Sequence, residues 1–345
     1  MTQNLGFDVI DGDGHVVETR QALSAFGFQG STTALIDRML AFDRASWGRF
    51  IRTCGENATE NVNDRISDQE LDEIDISVNY PTPLLGISDI PEIEASVYAA
   101  QAYNDWFYNT WTLPSLGKMV GAALVSLRDP IKAALEAERA IQNLSAVAVM
   151  IQPFVGNDLH LCDSSLDPLW SVCERLAKPI AIHGSRHTCP PKLTAQTFRS
   201  DARFYAISHI FQQQVAMGDM VLGGVLERFP RLKVVFLESG IGWMPHYIDR
   251  LDEAYKSFPG DGILSCKPSE YLLSGNCYFS CEPDEPHLAF YVQCLGEEQV
   301  IFASDYPHVD SKFPASVRMI IENSGLSNTA LARVLGNNAR DLYGL

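Results

Sequence analysis

No apolar run in this chain approaches the roughly 18 residues that a membrane-spanning helix needs, and only 26 Lys and Arg residues stand against 43 Asp and Glu. The first absence argues against a bilayer-spanning segment. The second gives a formal charge of −17 with no clustered basic stripe, a surface that repels phosphate backbones and anionic headgroups. Neither nucleic acid nor membrane is therefore expected as a partner. The segment Met1 to Phe7 has no basic stretch leading into an apolar one, which leaves a soluble, cytoplasmic protein as the expectation. Eight cysteines are scattered without a CxxC pair, Cys277 and Cys281 coming nearest to one. Reduced thiols are expected rather than a disulfide framework or a zinc knuckle. No internal repeat, Pro-rich linker or low-complexity tract divides the 345 residues, so one domain over 1–345 is the simplest organisation.

What is present is ample apolar material: 46% hydrophobic residues and 10% aromatics, enough to bury a large core and too much for a disordered chain. Short β-rich runs alternate with helical patterns. The runs are Phe7–His15, Ile76–Pro81, Met119–Leu127, Ala146–Phe154, Pro179–Gly184, Lys233–Gly240, Cys277–Cys281 and Val300–Pro307. Between them, Pro130 opens a helix whose Ile131, Ala134, Ala137, Ile141 and Leu144 are spaced for one apolar face. Asp167-Pro168 opens another, a long one runs from about Phe204 to Phe229 with a break at Gly218 or Gly223-Gly224, and a fourth starts near Trp243. Eight strands alternating with helices predict an α/β fold, a (β/α)8 TIM barrel. The strandless stretch of about 32–74 is expected as a helical cap inserted after the first strand.

A barrel gathers its chemistry at the C-terminal ends of its strands, and here those ends carry metal-capable side chains. The first ends in Asp11-Gly12-Asp13-Gly14-His15, where alternation puts Asp11, Asp13 and His15 on one face. Read by itself, the motif serves equally as a glycine-rich turn. The fifth strand stops on His183, the sixth on Glu238 and the eighth on Asp305, followed by His308. Each has a bland reading: a core histidine, an acid paired with a buried donor, a helix cap. Together they place His and carboxylate groups on four strand ends, a donor set that suits Zn²⁺, Mn²⁺ or Fe²⁺.

These motifs resemble the amidohydrolase superfamily, in particular the amidohydrolase-related branch that includes aminocarboxymuconate-semialdehyde decarboxylase and aromatic acid decarboxylases. The likeness extends over nearly the whole chain and includes Asp167-Pro168-Leu169-Trp170, the stretch Gly224 to Lys233, and Glu238-Ser239-Gly240 followed by Trp243. It implies one divalent metal held by Asp13, His15, His183 and Asp305, with Asp305 also able to accept a proton from the activated water. The sequence departs from the decarboxylases at the sixth strand, where they use a catalytic His and this chain has Glu238. With Asp11 and Glu238 added, the set could hold two metals, and it is then similar to that of a non-haem diiron monooxygenase on an amidohydrolase-like barrel.

The resulting expectation is a metal-dependent hydrolase or carboxy-lyase acting on a small oxygenated or aromatic carboxylic acid. Glu238, Asp305 and His308 are the catalytic candidates, and Glu18, Arg186 and His209 the substrate contacts. Arg186 offers a planar two-pronged donor for a carboxylate, with His187 beside it. His160, His246 and His287 are expected to be structural or on the surface. A diiron oxygenase and a non-catalytic ligand-binding barrel are the alternatives. The resemblance further suggests a homodimer.

Overall fold

The computed structural model describes residues 5–26, 57–155, 159–185, 201–259 and 263–345. Eight strands form one parallel sheet in sequence order: β1 Ile10–His15, β2 Ile76–Tyr80, β3 Met119–Leu124, β4 Ala148–Ile151, β5 Ile180–Ile182, β6 Val234–Phe236, β7 Cys277–Cys281 and β8 Val300–Phe302. The sheet then rolls back on itself. Beyond the β8 ladder, the Asp305 N–H donates to the Asp13 carbonyl at 2.9 Å and the His15 N–H to the Tyr306 carbonyl at 2.7 Å, so the last strand meets the first and the (β/α)8 barrel is present as expected.

The strands are apolar on both faces because both are covered. Val149 and Ile151, Ile180 and Ile182, and Val234 and Phe236 point outward and pack with Ala134, Ala137, Leu169 and Met217 of the surrounding helices. The alternate residues Ala148, Met150, Ala181, Val235 and Ile301 belong to a separate apolar cluster. This two-residue periodicity is the pleat of the strand, and it fills the barrel as layers of side chains.

The helices fall close to their expected positions: Pro130–Asn143, Asp167–Leu176, Asp201–Val221 and Met244–Ser257. Asp129 caps the first of these by accepting from the Lys132 N–H at 3.1 Å, as a short carboxylate before a Pro at the first helical position should. Ile131 departs from the expectation. It is exposed, and the small residues Ala133, Ala134, Ala137 and Ala140 form the inward face. The long helix breaks at the glycine pair and not at Gly218: a side chain on Gly223 would lie 2.2 Å from Cys162 Cβ and 2.3 Å from the Asp219 carbonyl. All six described cysteines are free thiols. Of the predicted cap, residues 57–74 are described and contain the helix Val62–Leu71; the rest lies outside the described residues, as do Cys54, Cys189, Arg186 and His187. No described helix is long and apolar enough to cross a membrane.

Three strands are especially short. β5, β6 and β8 have three residues each, and the chain beyond two of them turns sharply: Glu238 has φ 53° and Asp305 φ 54°. A non-glycine residue held in that left-handed region costs about 1–3 kcal/mol. Both are strand-end acids singled out by the sequence.

Candidate metal centre

Three strands bring four metal-capable side chains to one place. Asp13 and His15 come from β1, His183 directly follows β5, and Asp305 follows β8; Asp13, His15 and His183 are wholly buried. His15 Nε2 lies 3.2 Å from His183 Nε2 and 3.2 Å from Asp305 Oδ1, and both ring nitrogens lie 3.5 Å from Asp13 Oδ1.

The protons of the two imidazoles are fixed by their other nitrogens. His15 Nδ1 faces the Pro81 carbonyl at 2.8 Å, and His183 Nδ1 faces the Gly184 carbonyl at 2.7 Å. A carbonyl only accepts, so in the neutral ring the proton sits on Nδ1 and Nε2 carries a bare lone pair. Burial holds His15 well below the usual histidine range, helped by the charge of His308. Two lone pairs therefore face one another, beside an Asp13 carboxylate whose two oxygens have no hydrogen-bond partner among the described residues. Such an arrangement is unfavourable alone, because buried acceptors without donors lose their hydration with nothing in return. It fits a cation. Asp13, His15 and His183 form one group of suitable atoms, and His15, Asp305 and His308 a second that shares His15.

Asp305 and His308 form a tight pair. His308 Nδ1 is 2.7 Å from Asp305 Oδ1, its Nε2 is 3.1 Å from Thr82 Oγ1, and its ring stacks on His15 with centroids 4.1 Å apart. Burial works against charge on both. The mutual attraction prevails, so Asp305 is held below the ordinary carboxylate range and His308 above that of imidazole.

The β6 and β7 side has the opposite character. Glu238 Oε2 lies 3.4 Å from His183 Nδ1, and Oε1 lies 3.8 Å from His209 Nδ1. Glu238 thus faces the outer nitrogen of His183, away from the shared Nε2 cluster. Burial, followed by repulsion from Asp305 and Asp13, raises its carboxyl well above the usual range. Glu282, at the end of β7, is raised for the same reasons, with Asp305 and Asp310 as the repelling charges. His209 is buried on the helix Asp201–Val221 and depressed to about 4 by that burial and by His183. Tyr205, one turn earlier on this helix, meets the His209 ring edge-on and donates its hydroxyl to Asp310 at 2.6 Å.

Other expected site residues are used differently. Both Asp11 oxygens accept from Ser304, from its N–H at 2.9 Å and its hydroxyl at 2.6 Å. Asp11 is in neither ligand group, because the register of β1 against β2 shifts between Asp11 and Gly14 and breaks the simple alternation. Glu18 accepts from the Thr82 N–H at 3.2 Å and the Leu84 N–H at 2.5 Å. It anchors the start of the 3-10 turn Pro83–Asp89 instead of presenting a free carboxylate. His160, His246 and His287 are all exposed, His246 on the helix Met244–Ser257. Thr82, Tyr205, Asp310 and Glu282 were not expected. Glu282 alone had a sequence signal, an acid next to the apolar β7 run.

A family model described as amidohydrolase matches residues 10–345. The 2-amino-3-carboxymuconate-6-semialdehyde decarboxylase of Dictyostelium discoideum is 26% identical over 302 residues, 86% of this chain and 80% of that protein. Among solved structures, 5-carboxyvanillate decarboxylase from Sphingomonas paucimobilis superposes with a TM-score of 0.77 at 24% identity, covering 98% of this chain and 99% of the other. The 5-carboxyvanillate decarboxylase from Novosphingobium aromaticivorans, complexed with manganese and 4-hydroxy-3-methoxy-5-nitrobenzoic acid, gives 0.74 at 18% identity, with 99% and 97% covered. With a match that runs from the first strand to the last residue, the chain belongs to the amidohydrolase family.

Proposed function

We propose that the protein is a divalent-metal-dependent enzyme that decarboxylates, or by related chemistry hydrolyses, a small aromatic or oxygenated carboxylic acid. The observation that carries this reading is the buried convergence of the Asp13 carboxylate, the bare Nε2 atoms of His15 and His183, and Asp305 at one mouth of the barrel. Similarity to decarboxylases acting on carboxyvanillate and carboxymuconate compounds favours decarboxylation over hydrolysis. In this reading Asp13, His15, His183 and Asp305 hold one Mn²⁺, Zn²⁺ or Fe²⁺ ion, which when bound supplies Lewis acidity toward a substrate oxygen.

The protein's own groups handle orientation and protons. His308, bonded to Asp305 and Thr82, holds a proton at Nδ1 beside the ligand cluster. Glu238, whose carboxyl burial raises well above the usual range, can donate to the carbon that loses CO2 and recover the proton from water afterwards. A raised carboxylic acid would thus do the work for which an imidazolium is the alternative. His209 and Tyr205, on the helix that overhangs Glu238, border the place where a ring would sit.

Protein purified without chelator should contain about one divalent metal per chain. With it, the release of CO2 should be measurable on a panel of hydroxy- and amino-substituted aromatic acids. Failure to retain or rebind any metal would overturn the reading, and two irons per chain would favour the oxygenase. Asp11, engaged with Ser304, offers that second alternative no free carboxylate.

A further inference from the structure

Arg65 is a full-length cation buried to 2% exposure on the helix Val62–Leu71. No part of the proposed chemistry uses it. Its guanidinium lies over the Tyr306 ring, 4.2 Å from the centroid, and its Nη2 donates to Asn79 Oδ1 of β2 and to the Tyr306 carbonyl, both at 3.2 Å. The same carbonyl accepts the His15 N–H. Asp68, one turn along the helix, takes the Tyr306 hydroxyl. One helix therefore grips ring, hydroxyl and carbonyl of the residue that follows Asp305.

Asp11 grips the residue that precedes it. The Asp11 carboxylate holds the Ser304 N–H and hydroxyl, and Ser304 Oγ accepts the Tyr306 N–H at 3.0 Å. Between these two holds lies Asp305 in its left-handed conformation. A backbone strained in this way persists only where the surroundings over-determine it. The two holds also meet: a side chain on Gly14 would lie 3.0 Å from Asp11 Oδ2, 3.3 Å from Asn79 Oδ1 and 3.5 Å from Arg65 Nη2. A Cβ there would press on Asp11 and Asn79, so glycine eases that convergence directly behind His15.

We propose that Arg65 and Asp11, neither a member of the ligand cluster, are positioning residues that clamp the end of β8 from two sides and so keep Asp305 and His308 aimed at His15. The inference rests on the metal site proposed above, and its test separates the two. Arg65→Met should lower the affinity of the metal-free protein for Mn²⁺ by roughly 10- to 100-fold, as loss of a ligand-orienting partner does. It should lower kcat with KM unchanged, while Arg65→Lys recovers part of both. Ser304→Ala, which removes the hydroxyl from the Asp11 hold and keeps the backbone N–H bond, should shift both in the same direction. A merely structural role would lower the melting temperature and leave the Mn²⁺ affinity of the folded protein where it was; that outcome in Ser304→Ala overturns the clamp, even if Arg65→Met does not fold. Should the parent bind no Mn²⁺, the metal reading falls. The clamp is then decided by NMR of metal-free protein: the downfield proton of His308 Nδ1 bonded to Asp305 should be present in the parent and lost in Ser304→Ala, and its persistence there would sink the proposal.

Discussion

The two sides of the barrel mouth are built on opposite electrostatic plans. On the β1, β5 and β8 side, His15 and His183 are each fixed in one tautomer by a carbonyl, and Asp305 is paired with His308. On the β6 and β7 side, burial pushes the carboxyls of Glu238 and Glu282 up, and repulsion from Asp305 adds to it. The contrast separates two tasks. Binding a cation needs bare lone pairs held still, whereas moving a proton needs an acid that keeps its proton near neutral pH.

Removing His183 should break the first side outright. His183→Ala is expected to lose metal retention by more than about 100-fold, beyond the range seen for orienting partners, with an unchanged circular dichroism spectrum; metal analysis of the folded variant checks it. The second side should fail differently. Glu238→Gln is expected to keep its metal and lose about 10²- to 10⁴-fold in kcat, the usual contribution of a positioned acid or base. Full turnover in that variant would remove Glu238 from the mechanism, and loss of metal would erase the distinction between the sides.

Thr82→Val probes the first side more gently. It deletes one hydrogen bond to His308 Nε2, a change of about 1 kcal/mol, and should reduce kcat several-fold without affecting metal content. The smallest effect expected is on stability against pH. Burial raises Glu18 to about 7 from its ordinary 4.5, so the folded state holds that proton more tightly than the unfolded state does. Stability of the metal-free protein should then fall as pH rises from about 4.5 to about 7, and level off above. Glu18→Gln should flatten this part of a melting-temperature profile; an unaltered slope would show that the carboxyl titrates normally.

Much of this arrangement was legible in the sequence, for identifiable reasons. The eight strands could be read from β-rich runs alternating with helical patterns, several of them apolar throughout because both faces of the sheet are covered, and the metal-capable groups because four of those runs stop on a His or an acid. His183 and Asp305 required only that pattern. The functions of Asp11 and Glu18 were not legible: the register shift in β1 turns Asp11 toward Ser304, and the turn at Pro83 takes up both oxygens of Glu18. Thr82, Tyr205 and Arg65 reach the site from a loop and two helices, whose polar residues follow no strand period. Their approach is a matter of tertiary packing. The left-handed turns at Glu238 and Asp305 are equally hidden, since both positions hold ordinary acids where glycine would have announced the bend.

Closure of the barrel also has a temporal consequence. Asp11 and Ser304 are 293 residues apart, and Tyr343 reaches back to bond the Gly12 carbonyl at 3.0 Å. A ribosome that had released only the first strands would expose Asp13 and His15 with no His183 or Asp305 to complete them, and contacts so distant in sequence form slowly. In the proposed centre, metal affinity should consequently be completed only once the residues around Asp305 have emerged and folded back on the first strand. A growing polypeptide would be spared from fixing the wrong ion early, and loss of the Tyr343 hydroxyl would loosen the strand that carries Asp13 and His15.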